Sequence, residues 1–367
     1  MERREAHHGL EARRNGVVGH AGLLTARHGD VMSMETREAV IFPSDEFACV
    51  IASWPSSTYS VSQAPAVMLG DGLWFIPRPY CDIVGDPGAR VGSRFDPHVV
   101  EGFSILATRE RGSGRKGELN DQVLAVLDCV LLQGLFYISE LLFAHEREPD
   151  GVPRTEALPR PLLLNHARSA IVTEQTARTA FQMSKRYLRV SPKRGAFVIE
   201  PVKFRRLWAG LFSLKRGMRE LVLTRRIHDC VQAIEALLWL KQGEGKPVFT
   251  ARAKELTTGT AATLKSLETA WRVRCADEHM EPAKQEVARV RRIWELVWKM
   301  EGFAMQSYVR LLSDNKLLKH FKSDPTIGSF WSVMTPNDRR RLWGSGIDID
   351  SLRWLRRPHG GWELGRR

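Results

Sequence analysis

The sequence lacks a long apolar stretch of the kind that crosses a bilayer. The best candidate among its 367 residues is segment 123–143, and it carries Asp128 and Glu140. Charges at those places are typical of a core helix rather than a membrane span. Near the N-terminus the apolar run 16–24 contains His20, which makes it too weak for a secretion signal. We therefore expect neither a membrane span nor export.

Cysteine is scarce and scattered, and several common motifs are missing. No C-x-x-C pair occurs, so neither a disulfide framework nor a zinc ribbon is indicated, and the usage suits a reducing cytoplasm. Segment 109–117 is rich in glycine but has no Lys-Ser or Lys-Thr after it, which predicts a surface loop rather than a phosphate-binding loop. The chain has no repeat of fixed period and no sustained heptads. The five cysteines are Cys49, Cys81, Cys129, Cys230 and Cys275.

Acidic side chains are too few to balance the basic ones in the second half of the chain. The net charge of +13 divides into +1 for residues 1–33, −7 for 34–155 and +19 for 156–367. A surplus of this size on one half indicates a polyanionic partner, usually a nucleic acid and less often an anionic membrane surface. A well-solvated arginine-rich surface is the alternative.

Composition and periodicity predict a mainly α protein: a C-terminal helical bundle beside a smaller mixed α/β or irregular N-terminal domain. Within the N-terminal domain we expect short strands and then one long helix over 120–146 with Asn120 as its N-cap. Met34 is a possible alternative start. The predicted segments are a disordered extension at 1–33, the N-terminal domain at 34–148, a proline-rich linker at 149–161, the bundle at 162–322 and a basic Trp/Arg-rich segment at 323–367.

The apolar spacing after the linker is helical throughout. Thr335, Pro336 and Asp338 have the pattern of an N-cap, a first-turn proline and an N3 acid, and Gly344 is a stop signal for that short helix. The longer helices are predicted at 171–189, 202–215, 219–240, 249–256, 260–279 and 283–312.

One stretch within the bundle combines apolar and chemically useful side chains. On a helix, Leu264, Leu267 and Trp271 form a narrow apolar stripe that should be buried or lie in an interface. Arg274 falls about 60° to one side of Trp271 and His279 about 80° to the other. Pro282 disfavours the helical conformation at the residue before it, so His279 is expected at a frayed helix end.

These residues resemble a known family. Arg274-Cys-Ala-Asp-Glu-His279 is similar to the Arg-x4-His signature of HEPN domains, and its setting is similar to the Apea-like subgroup. A helix reading Arg226-Ile-His-Asp-Cys precedes it and carries Glu235, the next helix carries Arg252, and a long helix with the pair Arg291-Arg292 follows. The resemblance covers about residues 171–320.

The resemblance implies a helical bundle that pairs as a homodimer, with Arg274 and His279 of both subunits around a cleft that cuts RNA without metal or other cofactor. The residue types suit this chemistry, because an imidazole titrates near neutrality and a guanidinium binds phosphate oxygens in bidentate fashion. It also implies a role in bacterial defence or a toxin-like setting, with Glu235, Arg252 and Cys275 as supporting residues.

Other interpretations stand beside this one. Cys275 occupies a position that is commonly Asn, Asp or His in active members, which favours an inactive RNA-binding or protein-interaction module. Arg274 is equally suited to a packed ion pair with Glu235, Asp277 or Glu278, His279 to capping its helix, and Arg252 to a structural role. A third interpretation is a sensor whose N-terminal domain responds to a small molecule or a protein.

Overall fold

The structure is a computed structural model. It describes residues 46–54, 66–77, 101–109, 118–133, 139–147, 153–160, 172–191, 203–220, 222–241, 243–278, 287–356 and 362–366. By its contacts the chain divides into Met1–Glu38 and Ala39–Arg367, and all described residues belong to the second unit. The extension predicted at 1–33 and the possible start at Met34 lie outside the described residues. Of the loop predicted at 109–117, Arg109 is the last residue of a strand and 110–117 lie outside the described residues.

A six-stranded antiparallel sheet forms the N-terminal part of the described chain. Its strand order is β2-β3-β4-β1-β5-β6, so β1 lies between β4 and β5. Strand β6 occupies one edge and pairs only with β5. The strands are β1 (Glu46–Trp54), β2 (Val67–Gly70), β3 (Leu73–Ile76), β4 (Glu101–Arg109), β5 (Ser139–Arg147) and β6 (Pro153–Arg160).

Two predictions for this region are wrong. Helix α1 spans Glu118–Leu132, so it is shorter than the predicted 120–146, and its second half is replaced by strand β5. Asn120 consequently lies inside the helix rather than at its N-cap. The linker predicted at 149–161 contains strand β6, whose prolines are tolerated because an edge strand leaves N–H positions free of the ladder. The sheet and the helices belong to one compact unit.

Helix α1 connects the sheet to the helical bundle. It contacts β1 and β4 on one side and helices of the bundle on the other. Ten of its fifteen residues are buried, as a helix with packing on two sides requires. The helices that follow are α2 (Glu174–Val190), α3 (Arg205–Arg219), α4 (Leu223–Leu238), α5 (Lys246–Leu256), α6 (Ala261–Glu278) and α7 (Val287–Ser313).

Helix α4 is the centre of the bundle, with α3, α5, α6 and α7 packed around it. Helix α3 lies close to its neighbours at Gly210, where a Cβ would lie 1.9 Å from the Tyr308 hydroxyl and 2.6 Å from the Ala236 Cβ. Glycine therefore lets α3 and α7 meet beside α4. The Tyr308 hydroxyl donates to the Ala233 carbonyl oxygen at 2.9 Å, which satisfies a polar group inside the core.

The chain after the bundle packs onto it rather than forming a separate segment. Helices α8 (Asn315–Lys319), α9 (Asp324–Ser332) and α10 (Pro336–Trp343) precede a hairpin of β7 (Leu352–Arg356) and β8 (Trp362–Arg366). The predicted start of α10 is confirmed, because the Thr335 hydroxyl accepts from the Asp338 amide, and Gly344 ends the helix. The Trp343 indole donates to the Leu256 carbonyl oxygen at 3.0 Å.

The described chain is mostly helical with a smaller strand region, which confirms a mainly α fold with a helical bundle. None of its described helices is long and apolar enough to cross a membrane.

Candidate functional site

Arg274 lies on the face of α6 that packs against α4. Its Nε is 3.4 Å from Oε1 of Glu235, and its side chain is only 18% exposed. The guanidinium also stands over the Trp271 ring, 5.3 Å from the ring centroid. Glu235 on the neighbouring helix, one of the partners considered for Arg274 from the sequence, therefore lies at ion-pair distance from it.

A second pair on the same two helices was not found from the sequence. Nδ1 of His228 on α4 lies 3.3 Å from Oδ2 of Asp277 on α6, and His228 is 14% exposed. The Thr224 hydroxyl is 3.4 Å from the other oxygen of Asp277. Since Glu235 pairs with Arg274 and the earlier His228 with the later Asp277, the two helices run antiparallel.

The position of His228 relative to Glu235 is the signal that could have revealed it. Seven residues separate them, which is about two turns, so both side chains share one face of α4 about 10 Å apart along its axis. Asp277 is three residues after Arg274 and shares the corresponding face of α6. Reading the two helices as one antiparallel pair would have put an imidazole beside the Arg-x4-His motif.

The apolar stripe of α6 faces the interior of the chain. Leu267 is fully buried, and the Trp271 ring lies 4.9 Å from that of Phe249 on α5. Leu267 is thus buried within the chain, on a helix that contacts α4 and α5. Trp271 is half-buried, and the interface predicted for the stripe stays a prediction. Leu264 is half-buried.

Arg252 binds backbone carbonyl oxygens at the C-terminal end of α4. Its Nη1 donates to the carbonyl oxygens of Leu238 and Trp239 at 2.9 and 2.7 Å, and lies 3.2 Å from the Glu244 carboxylate. These carbonyls belong to the last turn of α4, where no helical N–H is available to them. The supporting role of Arg252 is accordingly the capping of a neighbouring helix.

Replacing Arg252 by methionine is expected to lower the free energy of unfolding by about 1.5–3 kcal/mol, the usual cost of losing hydrogen bonds from a charged donor. Methionine keeps most of the aliphatic stem, but it also removes the guanidinium that lies over the Trp239 and Trp331 rings, 5.9 and 5.7 Å from their centroids. Urea denaturation measures the change. The matched control is Lys254→Met on the exposed face of the same helix. Equal stability of the two variants would contradict the capping role.

Of the two motif residues that follow Arg274, the structure describes Cys275 but not His279. Cys275 is a half-buried free thiol one residue after Arg274. His279 lies outside the described residues, one residue after the end of α6 at Glu278. The position of the motif histidine relative to Arg274 therefore stays a prediction.

The buried thiols and the buried phenol are poor candidates for chemistry. Burial raises the pKa of the Cys129 and Cys230 thiols and of the Tyr308 hydroxyl well above their ordinary values. Each is therefore protonated at neutral pH and shielded from substrate. Across the described ranges, no group of three or more His, Cys, Asp or Glu side chains is placed to hold a metal ion.

The α4–α6 face thus brings together a guanidinium, an imidazole and two carboxylates. A guanidinium of this kind offers several donors to phosphate oxygens, and an imidazole beside a carboxylate is suited to proton transfer. Comparison of the chain with protein-family models, with curated proteins and with solved structures finds no match. The resemblance to HEPN domains rests on the Arg-x4-His motif of residues 274–279 and on the order of the helices around it.

Proposed function

We propose that the protein is a metal-independent endoribonuclease of the HEPN type, with Arg274 and His279 as its cleavage pair. The observation that supports it best is the placement of Arg274 near the end of α6, held between Glu235 and the Trp271 ring. Such a clamp orients the guanidinium before substrate arrives, which reduces the reorganisation needed in the transition state. Bacterial defence or a toxin-like setting is the biological role proposed with it.

The proposed chemistry is attack by the RNA 2′-hydroxyl on the adjacent phosphorus. A histidine removes the hydroxyl proton, the 5′-oxygen leaves with a proton from an acid, and a 2′,3′-cyclic phosphate remains. Arg274 stabilises the charge that builds on the phosphate oxygens. In the proposed homodimer, His279 of each subunit serves one of the two proton transfers.

A catalytically inactive RNA-binding module is the second candidate, and one observation favours it. The Arg274 side chain is only 18% exposed and lies at ion-pair distance from Glu235. A guanidinium engaged in this way is also what a purely structural ion pair between two helices requires. Cys275, which replaces a polar residue of active members, points in the same direction.

The test is cleavage of a mixed pool of structured RNA in excess chelator. Arg274→Ala and His279→Ala are each expected to lower the rate by about a hundredfold or more, since each removes phosphate stabilisation or proton transfer. The RNA fragments that the unchanged protein produces should end in a cyclic phosphate. Arg272→Ala is the matched control, because Arg272 lies on the same helix with its side chain exposed.

Three results would change the assignment. Cleavage that needs magnesium, or that persists in both variants, contradicts the proposed nuclease. Loss of cleavage in His228→Ala but not in His279→Ala moves the proton transfer to the imidazole held by Asp277. RNA binding without cleavage favours the inactive module, and Cys275→Asn then tests whether the missing polar group is the cause. Melting curves verify that each variant is folded.

A further inference from the structure

A small cleft near the end of the bundle is lined by cations and hydroxyls. It has a volume of about 440 Å³ and lies between α8 and α9. Two of its cations, Lys316 and Lys319, are exposed and three residues apart on α8, so they project from the same side of that helix. The complete lining is Lys316, Lys319, His320, Thr326 and Ser329.

No carboxylate lines this cleft, and in the described part of the chain none lies within ion-pair distance of Lys316, Lys319 or His320. The acids nearest in sequence have other partners. The Asp314 carboxylate accepts from the Lys316 amide at 2.7 Å as the N-cap of α8. The Asp324 carboxylate pairs with Arg206 at 3.1 Å. The positive charge of the cleft is therefore not compensated from within the described residues.

A larger cavity of about 540 Å³ between α1, α2 and α3 shows the contrast. Its lining carries as many acidic as basic side chains, and the Lys215 ammonium is bound to the Asp128 carboxylate at 2.6 Å. A lining with equal numbers of acidic and basic side chains does not favour a ligand of either charge. The smaller cleft favours an anion, because its lining carries two ammonium groups and no carboxylate.

Neighbouring contacts hold the walls of the small cleft in place. The His320 ring packs against the Phe330 ring with centroids 5.8 Å apart. The Thr326 hydroxyl belongs to the capping box at the start of α9, where it accepts from the Ser323 amide at 2.9 Å and donates to the Ser323 carbonyl oxygen at 2.8 Å. The donors that the cleft offers to an oxyanion are the Lys316 and Lys319 ammonium groups, the His320 imidazole and the Ser329 hydroxyl.

We propose that this cleft binds a backbone phosphate of RNA, away from the bond that is cut. The proposal rests on the proposed action on RNA and adds a second contact region to it. Lysine is a compact point charge suited to phosphate without fixed geometry. The lining contains no Asn, Gln or Arg that would read a base edge, so the site contributes affinity and positioning and is indifferent to sequence.

The experiment measures binding of a short labelled 2′-O-methyl RNA, which lacks the hydroxyl that the proposed cleavage needs and stays intact. For Lys316→Gln/Lys319→Gln, the slope of log affinity against log salt is expected to become shallower by about 0.7, since the cleft holds one phosphate and each phosphate contact on a single strand contributes about 0.7. Affinity at about 0.1 M salt should fall about fivefold. Lys316→Arg/Lys319→Arg keeps both charges and should retain most of the RNA affinity of the unchanged protein.

The matched control removes two lysine charges that already have carboxylate partners. Lys185 pairs with Asp71 at 2.8 Å, and Lys215 pairs with Asp128 at 2.6 Å. Lys185→Gln/Lys215→Gln should therefore leave the slope nearly unchanged.

The possible failures are distinguishable. If the unchanged protein binds RNA but Lys316→Gln/Lys319→Gln has the same affinity and slope as the lysine control variant, the cleft is not a phosphate site, while the proposed action on RNA stands. If the unchanged protein binds no RNA in low salt, both proposals fall. Binding to vesicles of anionic lipid that depends on Lys316 and Lys319, without a matching effect on RNA, also overturns the assignment of the cleft to RNA. Loss of RNA affinity in Lys316→Gln/Lys319→Gln, together with unchanged cleavage chemistry, supports the assignment of the cleft to an RNA phosphate.

Discussion

Glu301→Ala is expected to lower the free energy of unfolding by about 3–5 kcal/mol, because it removes one partner of a buried ion pair. The Glu301 side chain on α7 is fully buried, the Arg226 side chain on α4 is 6% exposed, and the two are bound to each other. The variant leaves a guanidinium in the core without the carboxylate that compensates its charge. Urea denaturation followed by circular dichroism measures the loss.

Two controls separate this effect from a general loss of packing or charge. Replacing both partners, as Arg226→Met with Glu301→Leu, should recover much of the stability, because apolar side chains of similar size carry no desolvation cost. Arg178→Ala removes an exposed ion pair with Glu174 and should cost less than about 1 kcal/mol. A loss in Glu301→Ala no larger than in Arg178→Ala would mean that the pair does not hold α4 to α7.

The helices of the bundle could be predicted from the sequence because their signals are local. Each of α2 to α7 overlaps a predicted segment, and their ends differ from the prediction by a few residues. The start of α10 was found from Thr335 and Pro336, whose capping chemistry acts within one turn. Periodicity and caps are properties of neighbouring residues and need no knowledge of the rest of the fold.

The sheet could not be predicted in the same way, because pairing between distant segments decides it. The apolar residues Leu141, Leu142 and Phe143 follow those of α1 closely, and a short apolar run fits a helix as well as a strand. They form β5 because its backbone pairs with β1, nearly a hundred residues earlier in the chain. The prolines of 153–160 indicated a linker, although an edge strand also accepts them.

The candidate site was partly predictable for a related reason. The motif placed Arg274 on α6, and the sequence offered Glu235 among its possible partners, but only the packing of α4 on α6 selects it. His228 and Asp277 were missed because they meet across that same contact. The lysines of α8 were missed because a surface cation becomes informative only when its surroundings contain no acid.

Arg339→Ala is the second large loss of stability that we expect, about 3–5 kcal/mol, because Arg339 anchors the last helices to the bundle. Its side chain is 8% exposed, and its Nε and Nη2 donate to the two carboxylate oxygens of Glu255 at 2.7 and 2.8 Å. Its Nη1 donates to the Trp331 carbonyl oxygen at 3.1 Å and to the Met334 carbonyl oxygen. Alanine removes all of these donors at once.

Substitutions at and beside Arg339 identify which property matters. Arg339→Lys keeps the charge but cannot donate to both carboxylate oxygens of Glu255 and to the carbonyls of α9 together, so it should recover less than half of the loss. Arg340→Ala removes an exposed arginine from the same helix and should change stability by less than about 0.5 kcal/mol. Limited proteolysis should cut Arg339→Ala first within 323–350, since these residues lose one of their attachments to α5. Unchanged stability and protease resistance in Arg339→Ala would show that the other contacts of this segment, including the Trp343–Leu256 hydrogen bond, are sufficient to hold it to the bundle.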